Sequence, residues 1–283
     1  MHERKLLKLK HSYLHRGYTL YIKVIFTVLV LCLFFDSSAS YTVKAAEPDQ
    51  ADRPPHLIQT VTEQDLFEGL LALDLLECPV SEEESIEAAY ENVKKCVVGI
   101  HMENAYGSGV ILQMTSEQII IASNRHVLDY WEDDTGYVEF YQGYVTDGYI
   151  LGISGQYDIG FLAVDNDQLG YQSLQSLYYA RCSEDAYQKL KAKDEIFCVG
   201  GIREEENYYP GTVEYLWVYI DELEGYMLRA GGNAIPGMSG GGTFDTKGNL
   251  VGMVTASSRN IETASIPLPI LLEVYEEMVG KTL

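Results

Sequence analysis

Residues 232–244 read Gly232-Asn233-Ala234-Ile235-Pro236-Gly237-Met238-Ser239-Gly240-Gly241-Gly242-Thr243-Phe244, with one serine inside a glycine-rich turn. Glycine at position 237 permits a backbone twist that other residues avoid, and it lets another group approach the chain closely. In such a turn the backbone amides of Gly237 and Ser239 can converge on one point, as a tetrahedral oxyanion requires. Glycine-rich turns between strands are common, so the turn predicts a nucleophile only if a base and an orienting acid accompany it.

A candidate base follows a strand-like segment upstream of that turn. Residues 119–128 read Ile-Ile-Ile-Ala-Ser-Asn-Arg-His-Val-Leu, and the β-branched run predicts a buried strand that ends just before His126. Two other histidines follow the first forty residues and lack this context. His56 lies in a polar, proline-containing stretch, and His101 lies inside a strand-like segment. We therefore take His126 as the base.

The orienting acid is chosen among many acids between His126 and Ser239. Asp158 directly precedes an apolar strand, residues 159–164, so its carboxylate can be held partly buried against an imidazole. Asp165 follows the same strand and has the character of a turn residue. Asp158 is the first choice and Asp165 the second.

His126, Asp158 and Ser239 supply a base, an orienter and a nucleophile in the chain order of chymotrypsin. From about residue 97 to the C-terminus the chain resembles the trypsin-like, chymotrypsin-fold serine peptidases, and within them the HtrA (Deg) branch. Five segments in the expected order carry the resemblance: residues 107–112, 158–164, 233–241, 248–256 and 265–267.

Two features depart from these families. Met238 precedes the nucleophile, where digestive peptidases carry an aspartate and HtrA enzymes an asparagine. Without an acid there, activation by capture of a new N-terminal ammonium group is not expected. The segment after Ala256 is too short for a PDZ domain, so the resemblance covers the protease unit alone.

The resemblance implies a mainly β fold with two six-stranded antiparallel β-barrels. We expect barrel one at about residues 96–165 and barrel two at about residues 190–258, within a protease domain spanning residues 96–283. Residues 41–95 are expected to form a linker and two helices, the first at residues 62–76. Ser81, followed by three glutamates, predicts the N-cap of the second helix. A closing helix is expected at residues 268–279.

The resemblance also assigns roles to residues of this chain. His126 takes the proton of Ser239, Asp158 orients the imidazole, and the amides of Gly237 and Ser239 form the oxyanion hole. The substrate-binding residues that the resemblance implies are Asn233, Thr255, Ala256 and Ser257. No acid stands at position 233, so a small or medium apolar residue is expected before the cleaved bond. Protein or peptide substrates follow, and no cofactor or metal is implied.

The first forty residues differ from the rest. Six basic residues precede an apolar run at residues 24–35, and small polar residues follow it. This pattern predicts an export signal, either cleaved or retained as a membrane anchor with the protease outside the cell. The whole chain carries 42 acidic and 20 basic residues, for a net charge of −22. Such a charge disfavours nucleic acid as a partner. The sequence does not indicate an oligomeric state.

Five cysteines occur, and Cys32 lies within the apolar run. The other four allow three disulfide pairings, which the sequence leaves open. No spacing typical of metal ligands appears. A second class of function remains open: a catalytically silent relative that binds peptides or senses a signal, for which Met238 is the supporting feature. An esterase of the same fold is a weaker third.

Overall fold

The computed structural model describes residues 61–132, 135–201, 208–232, 234–258 and 262–280. The predicted export signal, most of the predicted linker and the pocket residue Asn233 lie outside the described residues. In the described part, no helix is both long enough and apolar enough to cross a bilayer.

The first sheet contains seven strands with antiparallel neighbours, in the order β5-β4-β1-β2-β3-β7-β6. These strands are β1 (Val97–His101), β2 (Tyr106–Met114), β3 (Gln118–Ser123), β4 (Tyr137–Glu139), β5 (Val145–Thr146), β6 (Tyr149–Ile153) and β7 (Gly160–Asp165). Every residue of β3 after Gln118 is buried, as its run of isoleucines predicts.

The predicted six-stranded first barrel needs a correction, because this sheet is a curled half-barrel of seven strands. Its edge strands are β5 and β6, and the described residues show no pairing between them. Strand β5 has only two residues, so it offers too few backbone groups to complete a ring.

The second sheet closes into a six-stranded antiparallel barrel, because β12 pairs with both β9 and β13. The short β8 adds to β13 in parallel. The strands are β8 (Arg181–Cys182), β9 (Glu195–Val199), β10 (Tyr208–Ile220), β11 (Gly225–Gly231), β12 (Gly242–Asp245), β13 (Asn249–Ser258) and β14 (Glu262–Pro267). The last strand lies beyond the residues predicted for this barrel. Together the two sheets confirm the mainly β, chymotrypsin-like fold.

Two helices precede the first sheet: α1 (Glu63–Ala72) and α2 (Ile86–Val93). Helix α1 begins with a capping box between Thr62 and Asp65. The N-cap of α2 is Ser85, which accepts the Ala88 amide at 3.2 Å, so the prediction of Ser81 was wrong. The Ser81 hydroxyl instead donates to the Glu83 carbonyl at 2.6 Å and holds a turn before the helix.

Three short helices join the strands: α3 (Arg125–Leu128), α4 (Tyr171–Leu174) and α5 (Glu184–Lys189). The closing helix α6 (Leu268–Val279) matches its predicted range and ends at Gly280 in a left-handed conformation. Tyr275 of α6 packs edge-on against Phe161 of β7 with ring centroids 5.5 Å apart. Helix α6 follows the second barrel and packs on the first sheet, so it helps to hold the two together.

Candidate active site

His126 lies on the single-turn helix α3, which begins directly after the buried strand β3. Its side chain is about half exposed, with a relative accessibility of 50%. The residue before the helix, Asn124, is fully buried and donates its side-chain amide to the Asp158 carbonyl at 3.1 Å. The exposed imidazole of His126 is therefore held next to a buried strand and a buried asparagine.

Asp158 meets His126 through both carboxylate oxygens. Oδ2 lies 2.8 Å from His126 Nδ1, and Oδ1 accepts the His126 backbone N–H at 2.9 Å. The second bond satisfies an N–H at the start of α3 that has no partner within the helix. Because Nδ1 faces a carboxylate, the neutral ring carries its proton there and keeps Nε2 free to accept another. Asp158 thus fixes both the position and the tautomer of the imidazole.

Thr255 of β13 completes the surroundings of Asp158. Its hydroxyl donates to Asp158 Oδ2 at 2.5 Å, across the boundary between the two sheets. Burial raises the pKa of Asp158, but the hydrogen bonds from the His126 ring, the Thr255 hydroxyl and the His126 amide outweigh burial. The pKa of Asp158 therefore lies below its ordinary value of 3.8, and the group is a carboxylate at neutral pH.

Ser239 lies beside the same threonine. The Ser239 hydroxyl donates to the Thr255 carbonyl at 3.5 Å, the long end of the range for such a bond. Within the described residues the Ser239 hydroxyl makes this hydrogen bond and makes none with His126. Gly107 lies between Ser239 and the histidine helix. A Cβ placed on Gly107 would stand 2.6 Å from the Val127 side chain and 3.3 Å from the Ser239 carbonyl, so the loop and the helix approach each other closely here.

We call residues 236–241 the nucleophile loop. Its backbone depends on glycine at two positions, since Gly237 has φ +93° and Gly240 has φ +87°. A Cβ on Gly240 would also stand 2.1 Å from the Ser108 carbonyl, so a side chain cannot fit there.

The amides of the nucleophile loop fall into two sets. Those of Met238, Gly240 and Gly241 donate to protein carbonyls at 3.1, 2.8 and 2.8 Å. Those of Gly237 and Ser239, within the part of the chain that the structure describes, donate to no protein carbonyl. The two amides left over are the pair that the sequence assigned to the oxyanion.

Met238 anchors the nucleophile loop through apolar contacts. Its side chain is 1% exposed and packs with Cys198, Ala234 and Val254, and its sulfur accepts the Ile235 amide at 3.4 Å. An aspartate here would need a buried cation, whereas methionine needs only an apolar cavity. The departure at position 238 thus replaces a charged anchor with an apolar one.

The remaining predicted residues are placed as follows. Ala256 and Ser257 line a cavity of about 490 Å³, whereas Thr255 faces Asp158 instead. Asn233 lies outside the described residues. The second-choice acid Asp165 accepts a hydrogen bond from Tyr149 at 3.2 Å, and Asp158 takes the position beside His126.

Two residues near the site were missed or misassigned from sequence. The side-chain amide of Asn124 holds the Asp158 backbone, and the hydroxyl of Thr255 holds its carboxylate. Thr255 lies 97 residues from Asp158, so local patterning carries no signal for this contact. Asn124 stands at the N-cap of the histidine helix, where Asn is favoured, but its side chain makes no capping bond and reaches Asp158 instead.

Thiols and potential metal ligands are the other reactive groups considered for a site. In the described ranges no cluster of three or more His, Cys, Asp or Glu side chains could hold a metal ion. Cys78, Cys96, Cys182 and Cys198 are free thiols. Burial raises the pKa of Cys198 to about 11, so its thiol is protonated at neutral pH and is not a competing nucleophile.

Comparison with known proteins gives two findings. A model of the trypsin-like peptidase domain family matches residues 107–253, more than half of the chain. The crystal structure of the serine endoprotease from Yersinia pestis is similar, with a TM-score of 0.54 and 19% identity. That match covers 68% of this chain and 66% of the Yersinia chain, slightly less than two thirds, and it bears on the fold alone. Curated proteins give no match. The chain belongs to the family of trypsin-like peptidase domains.

Proposed function

We propose that the chain is a serine endopeptidase that hydrolyses peptide bonds through an acyl-enzyme. The observation that carries the proposal is the arrangement around Thr255. Its hydroxyl bonds the Asp158 carboxylate that orients His126, and its carbonyl contacts the Ser239 hydroxyl. One residue of β13 therefore touches both the acid and the nucleophile. Membership of the peptidase family makes proteins or peptides the substrate class.

In the proposed first step His126 Nε2 removes the proton of Ser239 as Oγ bonds to the substrate carbonyl carbon. For this step the Ser239 hydroxyl must leave the Thr255 carbonyl and turn toward the imidazole. Hydrogen bonds between catalytic groups are often long or absent before substrate binds, so a Ser239 hydroxyl not yet bonded to His126 is compatible with this role.

The carbonyl oxygen becomes an oxyanion that the amides of Gly237 and Ser239 hold. Collapse of this intermediate breaks the C–N bond, and the imidazolium gives its proton to the leaving amine. Water then attacks the acyl-enzyme with His126 again as the base, which releases the acid product and restores Ser239. The Asp158 carboxylate remains ionised throughout and stabilises the imidazolium.

The second candidate is a silent relative that binds peptides without cleaving them. The orientation of the Ser239 hydroxyl toward Thr255 is the observation that favours it. In that case Ser239 would keep this orientation with a peptide bound, and the chain would show no turnover.

A fluorophosphonate probe separates the two candidates. An activated serine displaces fluoride from phosphorus and keeps the phosphonyl group on Oγ. We expect labelling at Ser239, found by peptide mass spectrometry, and a loss on the order of 10⁶ in kcat for Ser239→Ala. Heat-denatured wild-type protein is the control for nonspecific labelling. A folded protein that neither labels at Ser239 nor cleaves a peptide library contradicts the peptidase proposal.

We further propose that the protease unit works outside the cytoplasm. Basic residues followed by an apolar run near the N-terminus support export, and the strongly acidic composition suits a soluble extracellular surface. N-terminal sequencing of protein recovered from its native host distinguishes a cleaved signal from a retained anchor. Recovery of the intact chain in the cytoplasmic fraction contradicts export.

A further inference from the structure

Ser108 lies in β2 of the first sheet, is fully buried, and takes no part in the proposed triad. Its hydroxyl donates to the Gly237 carbonyl at 2.7 Å and accepts the Gly201 amide at 2.8 Å. Its own amide donates to the Ser239 carbonyl at 2.8 Å. One residue of the first sheet thus bonds both residues whose amides are assigned to the oxyanion.

We infer that Ser108 is a positioning residue that fixes the nucleophile loop in the conformation where the Gly237 and Ser239 amides converge. The inference rests on the proposed peptidase function and adds a residue to it. The hydrogen bonds of the Ser108 hydroxyl and amide go to backbone groups and not to a triad side chain. Ser108 acts through the peptide groups that join Gly237 to Met238 and Ser239 to Gly240.

The nucleophile loop needs such a support because its backbone is permissive. Glycine at position 237 can adopt several conformations of similar energy, and a rotated peptide would turn an oxyanion donor away. A bond to the Gly237 carbonyl fixes the peptide between residues 237 and 238, and a bond to the Ser239 carbonyl fixes the peptide that follows the nucleophile. These two peptides flank the one that carries the Ser239 amide, and the first of them adjoins the one that carries the Gly237 amide, so the bonds from Ser108 restrict the rotation of both donors.

Ser108 is itself held firmly. The Ser123 hydroxyl donates to the Ser108 carbonyl at 2.7 Å. A Cβ on Gly200 would stand 3.1 Å from Ser108 Oγ and 2.9 Å from Met238 Cγ, so the hydroxyl lies in a closely packed place. A donor held on rigid elements can place its partner accurately, which is the property an oxyanion site needs.

Serine suits this position for a chemical reason. Its hydroxyl has one proton to donate and lone pairs to accept with, and here it does both at once. Alanine removes the donor and the acceptor. Cysteine keeps a similar shape but is a weak donor, so it separates hydrogen bonding from packing.

The test compares Ser108→Ala and Ser108→Cys with Thr243→Val as the matched control. Thr243 is also fully buried, and its hydroxyl pairs with Ser265 in the second barrel, without a bond to the nucleophile loop. All three variants lose a buried hydroxyl bond, and thermal unfolding measures that common cost. Only the Ser108 variants lose the bond to Gly237.

For Ser108→Ala we expect kcat to fall about 10²-fold, the order of the loss when one oxyanion donor is removed or a catalytic group is misplaced by about 1 Å. KM should stay within about threefold. The affinity for a peptide aldehyde, which forms a tetrahedral adduct on Ser239, should fall by about the same factor as kcat. The pH dependence of kcat/KM should keep its midpoint, because the His126–Asp158 pair is untouched. Ser108→Cys should resemble Ser108→Ala.

Several outcomes overturn the inference. Near-wild-type kcat in Ser108→Ala and Ser108→Cys overturns it, and so does a loss that falls on KM alone. An equal loss of kcat in Thr243→Val reduces the effect to general stability. If Ser108→Ala does not fold, Ser108→Cys with normal kcat contradicts the inference by itself. A wild-type chain that fails to label or cleave removes the peptidase proposal and this inference together, whereas an active wild type with indifferent Ser108 variants removes the inference alone.

Discussion

At the scale of single residues, Thr255 joins groups that come from opposite sides of the active site. Its hydroxyl and its carbonyl contact Asp158 and Ser239 respectively, so a shift of β13 would disturb both. Asp158 must remain an ionised carboxylate although it is partly buried. It receives hydrogen bonds from the His126 ring, the His126 amide and the Thr255 hydroxyl, and these keep its pKa low despite burial.

Asp158→Asn should lower kcat about 10⁴-fold while leaving the fold intact. An amide at this position can donate to the imidazole, and this favours the tautomer with the proton on Nε2, which cannot accept the serine proton. Steady-state kinetics on a peptide substrate measures the effect. Asp165→Asn is the matched control, because Asp165 ends the strand that Asp158 precedes and bonds Tyr149 instead. A larger loss in Asp165→Asn would mean that the orienting acid is misassigned.

At the scale of elements, the nucleophile loop connects the catalytic serine to the second barrel through an apolar anchor. The Met238 side chain packs into a small cluster with Cys198, Ala234 and Val254, separate from the main core. Gly240 donates to the Val254 carbonyl and Val254 donates to the Gly241 carbonyl, both at 2.8 Å. The loop is therefore held to β13 by backbone bonds and to the barrel interior by one side chain.

Met238→Ala should destabilise the protein by about 2–5 kcal/mol, because it leaves a cavity in a closely packed cluster. Met238→Leu conserves volume and should cost less than about 1.5 kcal/mol. Urea unfolding gives both free energies, and kcat measured on the same samples reports the order of the loop. We expect kcat to follow stability, with the alanine variant the poorer catalyst. Equal stability of the two variants would show that the methionine does not anchor the loop.

At the scale of the whole molecule, the sequence predicted the features that a local pattern records and missed the contacts between residues far apart in the chain. Each triad segment has a local pattern, a strand before His126, a strand after Asp158 and a glycine turn around Ser239, and all three patterns were readable. The Thr255–Asp158 and Ser108–Gly237 bonds join residues 97 and 129 positions apart, and no local pattern records them.

Local competition explains the other differences between prediction and structure. Ser81 and Ser85 are both of a residue type favoured at an N-cap. The Ser81 hydroxyl bonds within a turn, whereas the Ser85 hydroxyl accepts a helix amide and caps the helix. The predicted barrel ends before β14, whose residues Glu262–Pro267 include only two β-branched ones, Thr263 and Ile266. Its pairing with β11 and β13 decides its conformation.

Substrate preference depends on how the barrel surrounds the nucleophile loop. Thr263 of β14 accepts the Ala234 amide at 3.2 Å and donates to the Gly232 carbonyl at 3.0 Å, so a neutral hydroxyl ties down the segment before the loop. In the neighbouring cavity, Arg229 is paired with Glu262 at 2.5 Å. The segment directly before the nucleophile loop therefore lies against a neutral hydroxyl, and the cavity beside it also contains the carboxylates of Asp221 and Glu222.

We expect cleavage after small or medium apolar residues such as Ala, Val or Leu. The acidic surface favours basic residues at flanking positions instead. Its influence is screened beyond about 10 Å at 0.1 M salt, whereas contacts within a pocket are not. Profiling a peptide library at low and moderate salt tests both parts, with Ser239→Ala as the blank. The apolar preference should persist as salt rises, while any preference for flanking Lys or Arg should weaken. Dominant cleavage after Arg or Lys at both salt concentrations would show that an acid reaches the pocket.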